Sequence, residues 1–224
     1  FSSFLIRLLQ WNLKEGKYPI FTFTYVRKWL SDQIFTLCLG VLHPIFASVY
    51  ISSFYRLLGA KVGKRSEIST ASNVTHCMLE IGDEAFIADA VALGESDVRN
   101  NIMTLQKTKV GNTSFVGNSA LIPQGYTVAD NTLIGVLSIP PSEKQLAENP
   151  KSDWFGSPAI ALPNRQDSGT YDKKLLYYPN LSKRIARGII EFIRIILPQS
   201  VIFAGTTLFV AYAHDLVSKE PIIN

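Results

Sequence analysis

Hydrophobic positions recur every six residues from Val110 to Ile139. The units read VGNTSF, VGNSAL, IPQGYT, VADNTL and IGVLSI. Each opens with Val or Ile, and a small residue follows four places later at Ser114, Ala120, Thr132 and Ser138, with Tyr126 as the exception. A helix repeats at about 3.6 and a plain strand at about 2, so neither gives a strict six. A short flat strand followed by a tight corner does, three times per coil of a parallel β-helix.

A looser copy precedes the strict run. VGKRSE, ISTASN, IGDEAF, IADAVA and LGESDV open at Val62, Ile68, Ile81, Ile87 and Leu93, and Ser66, Ser72, Ala85 and Val91 hold the fourth place on. The openers are expected to point inward and stack from coil to coil, with the small residue facing inward near a corner. Gly63, Gly82, Gly111, Gly117 and Gly135 follow the opener and predict tight corners without a Cβ clash. Asp83, Asp89, Asn112, Asn118 and Asp130 occupy corner positions, where short polar side chains bond the backbone and hold the turn. The register breaks at Val74 to Ile81, one residue too long, and at the loop Asp97 to Thr108. Such breaks are loops pushed out from the wall, where function tends to sit.

Two stretches outside the repeats lack charge. Gln33 to Tyr55 has no Asp, Glu, Lys or Arg over 23 residues, enough to cross a bilayer core of roughly 30 Å. Pro44 near its middle fits a kinked span, a re-entrant hairpin or a buried soluble helix. Ile195 to Ala213 is uncharged over 19 residues and is the better single span. The basic amphipathic segment LSKRIARG, from Leu181, stands ahead of it, with Lys173 and Lys174 upstream, and suits anionic headgroups. The N-terminal apolar segment and the tail SIPPSEKQLAENP are expected to cover the two coil ends, whose strand edges would otherwise be sticky.

Composition sharpens this picture. The chain is 47% hydrophobic and only 18% charged, with net charge +4 and a pI near 9.0. Its basic residues lie beside apolar stretches, which favours a membrane surface and argues against nucleic acid. Two cysteines, Cys38 and Cys77, make no disulfide framework, and no metal-ligand spacing appears. The apolar opening FSSFLIRLLQW reads as the cut end of an earlier helix, so a piece of a longer protein is expected.

The hexapeptides together with WFGSPA resemble the left-handed β-helix hexapeptide-repeat transferases, over roughly Leu58 to Arg165. The phrases GKYP, RKWL, RLLGAKVGK, LEIGDEAFI and GVLSIPP follow in order. Together they resemble the membrane-bound C-terminal region of poly-lysine synthetase-like, nonribosomal-peptide-synthetase-like proteins. That resemblance implies a mainly β fold, a left-handed parallel β-helix flanked by membrane-associated α-helices. It also implies acyl or aminoacyl transfer from a carrier-bound thioester to an amine. The implied partners are the membrane, a carrier domain of the same parent chain and a homo-oligomer, with the phosphopantetheine of the carrier, or CoA, as the arm involved. Gly156, Ser157, Pro158 and Ala159 match the element that ends the last coil, and would either line the pantetheine groove or form a plain exit turn. Family members often carry a His after the rung that here reads VALGESDVRNN; this chain has Gly94, Glu95 and Ser96 there instead.

His76 and Glu95 are therefore the candidate catalytic residues. His76 is the one histidine of the repeat region, and an imidazole is suited to taking a proton from an amine. The alternative is a locally bonded histidine. Cys77 beside it suggests a nucleophile, but neighbours on a strand face opposite ways, and a cysteine is more often simply buried. Glu95, with Asp97 and Arg99, could orient a substrate amine, or belong to a solvated loop. The domain boundaries expected are 1–56 for an N-terminal amphipathic or transmembrane segment, 57–165 for the β-helix, and 166–187 for linker and basic segment. A transmembrane helix at 188–214 and a tail at 215–224 follow. Positive charge on the β-helix side of both spans puts that domain in the cytoplasm. The competing reading is a non-catalytic scaffold that positions other catalytic domains.

Overall fold

The computed structural model describes residues 2–72, 74–150, 153–163 and 177–219. It divides into two compact units, Phe1–Pro179 and Asn180–Asn224. Half of the linker read at 166–187, with Lys173 and Lys174, lies outside the described residues, as does the end of the tail.

The first unit opens with helix α1 (Ser2–Leu9), strand β1 (Gly16–Pro19) and helix α2 (Phe23–Leu42). Thr22 caps α2, its hydroxyl accepting from the amide of Tyr25. A 3-10 turn (His43–Ile45) carries Pro44, and α3 (Ile51–Leu58) follows, closed by Gly59 at φ 110°. The uncharged run 33–55 is thus two helices with a corner between them. Its second half is a core element: Phe46, Ile51 and Tyr55 are buried, and the Tyr55 hydroxyl donates to the carbonyl of Ala71.

Thirteen short strands then build three walls of parallel pairing. The first is β2 (Lys61–Val62), β5 (Leu79–Ile81), β10 (Thr108–Val110) and β13 (Thr127–Val128). The second is β3 (Glu67–Ile68), β6 (Phe86–Ile87), β11 (Phe115–Val116), β14 (Leu133–Ile134) and β15 (Asp153–Phe155), with β16 (Ile160–Leu162) antiparallel at its edge. The third is β4 (Ala71–Ser72), β7 (Val91–Leu93) and β12 (Leu121–Ile122). The chain visits them in rotation: Val62 pairs with Ile81, Ile68 with Ile87 and Val110 with Val128. Ile68, Ile81, Ile87, Val110, Val116, Ile122, Val128 and Ile134 are all buried, and form one column-filled core with Trp154.

The wall strands are two or three residues long because corners use the rest of each six. The helices therefore hold more residues than the strands. The chain is mixed α and β, where the sequence suggested mainly β.

The corners are built differently from expectation. The glycines after the opener do not adopt positive φ; the left-handed residues sit three places after it, at Arg65, Glu84, Ala90, Thr113, Ser119, Asn131 and Leu137. Glycine is required because successive corners nearly touch: a Cβ on Gly63 would lie 2.4 Å from the backbone of Gly82. The polar corner residues bond the preceding coil, not their own turn. Asp130 accepts from the Asn112 amide at 2.7 Å, Asn112 from Asp83 at 2.8 Å, and Asp83 from Lys64 at 2.7 Å. The inward serines also bridge coils, Ser66 donating to Gly82 and Ser114 to Ala129.

Helix α3 covers the first coil, where Ser52 donates to Ser66 and Arg56 to the carbonyls of Val62 and Gly63. Helix α4 (Glu143–Glu148), started by a Ser142–Gln145 capping box, covers the last, and Gln145 donates to the carbonyl of Ala159 at 2.6 Å.

The second unit is α5 (Leu181–Lys219), 39 residues with Pro198 inside. Residues Leu181–Ser218 are long and apolar enough to cross a membrane, and are the only such helix among the described residues.

Candidate functional site

The loop between Leu93 and Thr108 interrupts the corner from the third wall to the first. It is a hairpin of β8 (Asp97–Arg99) and β9 (Ile102–Leu105), and β1 adds an antiparallel third strand by pairing Gly16 with Leu105 and Pro19 with Ile102. Glu15 holds the base of this sheet, accepting from the Lys107 amide at 2.8 Å. The coil nevertheless stays in register across it, since Ile81 pairs with Val110.

Helix α2 packs against this same corner and turns polar residues inward. Lys28 and Ser31 are buried. The Lys28 ammonium donates to both carboxylate oxygens of Asp32 at 2.6 Å, one turn along the helix. Gln10, just past the end of α1, donates to Ser31 and accepts from the Cys77 amide, which ties both helices to the coil. Burial pushes the Asp32 carboxyl above its ordinary value, Lys28 pulls it back, and the negative charge of Glu95 adds to the rise. The charge of Glu95 on the loop is thus felt by Asp32 on the helix. The Asp32 side chain is 39% exposed and Glu95 is exposed, whereas Lys28 beneath is 3% exposed.

His76 is not exposed. It lies in a 3-10 turn (His76–Met78), 1% exposed, with its ring edge-on to Phe35 at 4.6 Å and to Tyr55 at 5.1 Å. Neither ring nitrogen has a hydrogen-bond partner, and burial, with Lys28 nearby, pushes its pKa down to about 3. The ring packs in the core in its neutral form, a setting of a structural histidine and not of the exposed loop base that the sequence suggested. Burial likewise pushes the Cys77 thiol up to about 11, too high for a thiolate nucleophile at neutral pH. Thr75 and Thr108 also carry buried hydroxyls without partners in this corner region.

Gly156 to Ala159 occupy another corner. They form the turn between β15 and β16, with Gly156 at φ 92°. The Gly156 amide donates to Ser138 at 2.7 Å, its carbonyl accepts from Ile139, and the Ala159 carbonyl accepts from Gln145. Those backbone groups are engaged within the last coil, so the element is an exit turn and does not fit a cradle for a pantetheine amide. Asp97 and Arg99 pair with each other at 2.9 Å on the hairpin. Sequence reasoning missed Lys28 and Asp32. Their signal was a lysine and an aspartate four apart in a helix whose one other charge is Arg27.

No protein-family model matches the chain. Among solved structures, a galactoside acetyltransferase in complex with coenzyme A is 19% identical with a TM-score of 0.46, over 71% of this chain and 92% of that one. A maltose O-acetyltransferase from Clostridium difficile is 18% identical with a TM-score of 0.36, over 72% of this chain and 82% of that one. A hexapeptide-repeat acetyltransferase from Vibrio cholerae is 13% identical with a TM-score of 0.37, over 74% and 89%. The sequence relation is stronger: the chain is 42% identical over 221 residues to the delta-poly-L-ornithine synthetase of Acinetobacter baumannii. Those residues are 99% of this chain and 16% of the synthetase, so the chain is a homologue of one segment, about a sixth of the length, of that synthetase.

Proposed function

We propose that this chain is an acyl- or aminoacyl-transferase-type module of a nonribosomal-peptide-synthetase-like protein. It joins a carrier-bound thioester to an amine on a left-handed β-helix anchored by α5. What supports this reading is the homology of the segment to part of a poly-ornithine synthetase, together with the exposed Glu95 on the loop that the coil extrudes.

Glu95 receives the proton. An incoming ammonium gives one proton to its carboxylate, and the neutral amine attacks the thioester carbonyl. The C–N bond forms as the C–S bond breaks, and the second amine proton leaves with the sulfur as thiol. Asp32, fixed by Lys28, sets a second negative charge beside the incoming cation. The acyl donor is substrate; the exit turn at Gly156 to Ala159 has no part in holding it.

The second reading is a scaffold that positions catalytic domains elsewhere in the parent chain, and the burial of His76 favours it. One experiment separates the two. The carrier of the parent protein is charged with labelled amino acid, and product release is compared for wild type and Glu95→Gln. Intact loading with release lowered about 100-fold supports the transferase reading. Unchanged release makes the module a scaffold.

A further inference from the structure

Helices α1 and α2 bury Ile6 and Phe35 in a small core with Leu58, yet their outer faces are apolar as well. Lys28, Ser31 and Gln10 face inward and are buried. The outward stripe of α2 is Phe23, Val26, Leu30 and Leu37, from 39% to 77% exposed, at spacings of three, four and seven. Those intervals keep one face of a helix. On α1 and the turn that follows it, Phe4, Leu8 and Trp11 are exposed at the same kind of interval, 70%, 52% and 70%. The two helices pack together, and Arg27 joins them by donating to the carbonyls of Leu9 and Trp11 while its guanidinium sits 5.9 Å from the Phe23 ring. Between them lies an open apolar recess of about 490 Å³ lined by Leu8, Trp11, Asn12 and Arg27.

Water does not favour this arrangement. Contiguous apolar patches of this kind mark an interaction site. Two features select lipid as the occupant. Aromatic residues crowd one end of the face, where Phe21 and Trp29 join Phe23 and Trp11, as rings do at headgroup level. The exposed charges beside that end are Arg7, Lys14 and Lys17 against the single acid Glu15, whose carboxylate accepts from the Lys107 amide, so the balance is basic. A basic rim around an aromatic face complements an anionic lipid surface.

We propose that the exposed face of α1 and α2 is an interfacial membrane site: the helices lie along an anionic bilayer with Trp11 and Trp29 among the lipids and Lys28 and Asp32 turned away from it. Helix α2 would then lie between the membrane surface and the coil. This contact is additional to α5 and independent of the transferase reading.

The chain supplies its own reporter. Its three tryptophans are Trp11, Trp29 and Trp154. Trp154 is buried in the coil core, and α5 contains none, so insertion of α5 gives no signal. The full chain is reconstituted in vesicles of phosphatidylcholine and phosphatidylglycerol, with or without bromine near the headgroup end of the acyl chains. Brominated lipid is expected to reduce wild-type emission about two-fold and to leave the double variant W11F/W29F unchanged. Equal emission of the wild type in both lipids overturns the proposal, as does quenching that persists in the double variant. Shielding of Trp11 and Trp29 from acrylamide without bromine quenching also overturns it, since a protein then covers the face.

Discussion

Removing the Asp32 carboxylate should hurt more than removing both members of its pair. Lys28 is 3% exposed on its side chain, and both Asp32 oxygens lie 2.6 Å from its ammonium. In Asp32→Asn that ammonium loses its counter-charge inside the protein. Breaking a fully buried pair this way costs about 3–5 kcal/mol. Asp32 is 39% exposed, so solvent supplies part of the missing partner and the expected loss is about 2 kcal/mol. Lys28→Met leaves a carboxylate that can reach water and fills the channel with an unbranched side chain, and should cost less than about 1 kcal/mol. The double variant removes both charges and should match Lys28→Met. Thermal unfolding of the full chain in detergent reads the series, with about 2–4 °C per kcal/mol for a chain of this size. Asp32→Asn should then fall by about 4–8 °C and regain most of that when Lys28→Met is added. A larger drop for Lys28→Met than for Asp32→Asn would refute the reasoning, as would a double variant no better than Asp32→Asn.

Other outcomes follow from single residues. His76, pushed down to about 3 from 6.5, has a depressed folded value, so its contribution to stability is present above 6.5 and is lost as pH falls toward 3. His76→Phe should remove up to about 1.4 kcal/mol per pH unit of acid sensitivity in that window, measured by denaturation at several pH values. Gly63→Ala should destabilise by about 1–3 kcal/mol, because its Cβ meets the Gly82 backbone. Gly40→Ala, with no atom within 4 Å of the new Cβ, should instead stabilise α2 by about 0.5–1 kcal/mol, read by the same melts. Glu95→Gln should lower product release with carrier loading intact.

The coil was legible because its rule is local. An inward Val or Ile every six residues is visible without any knowledge of what lies opposite, and the buried column from Ile68 to Ile134 follows it. What glycine does at a corner was not local. Gly63 is required by Gly82, nineteen residues on, and the sequence order does not show that the two corners stack. The same limit applies to the site. Glu95 was readable as a charge in a loop that breaks the repeat. Asp32 and Lys28 were not, because only the packing of α2 on that corner turns them inward, against the apolar trend of their helix. His76 misled for a related reason: a histidine in a register break reads as a loop residue, yet the break here is a 3-10 turn that sends the ring between Phe35 and Tyr55.

The hairpin of β8 and β9 has a mechanical meaning. Pairing partners on either side of it stand further apart in sequence than elsewhere, Ile81 with Val110 against Val110 with Val128, yet the strands stay aligned. The wall is thus indifferent to how much chain is paid out at that one corner. Length and composition there can change without disturbing any inward column, while the same change inside a six-residue unit would turn every later side chain out of place. The molecule is a frame with an adjustable outgrowth at this corner, where variation can accumulate without disturbing the inward columns.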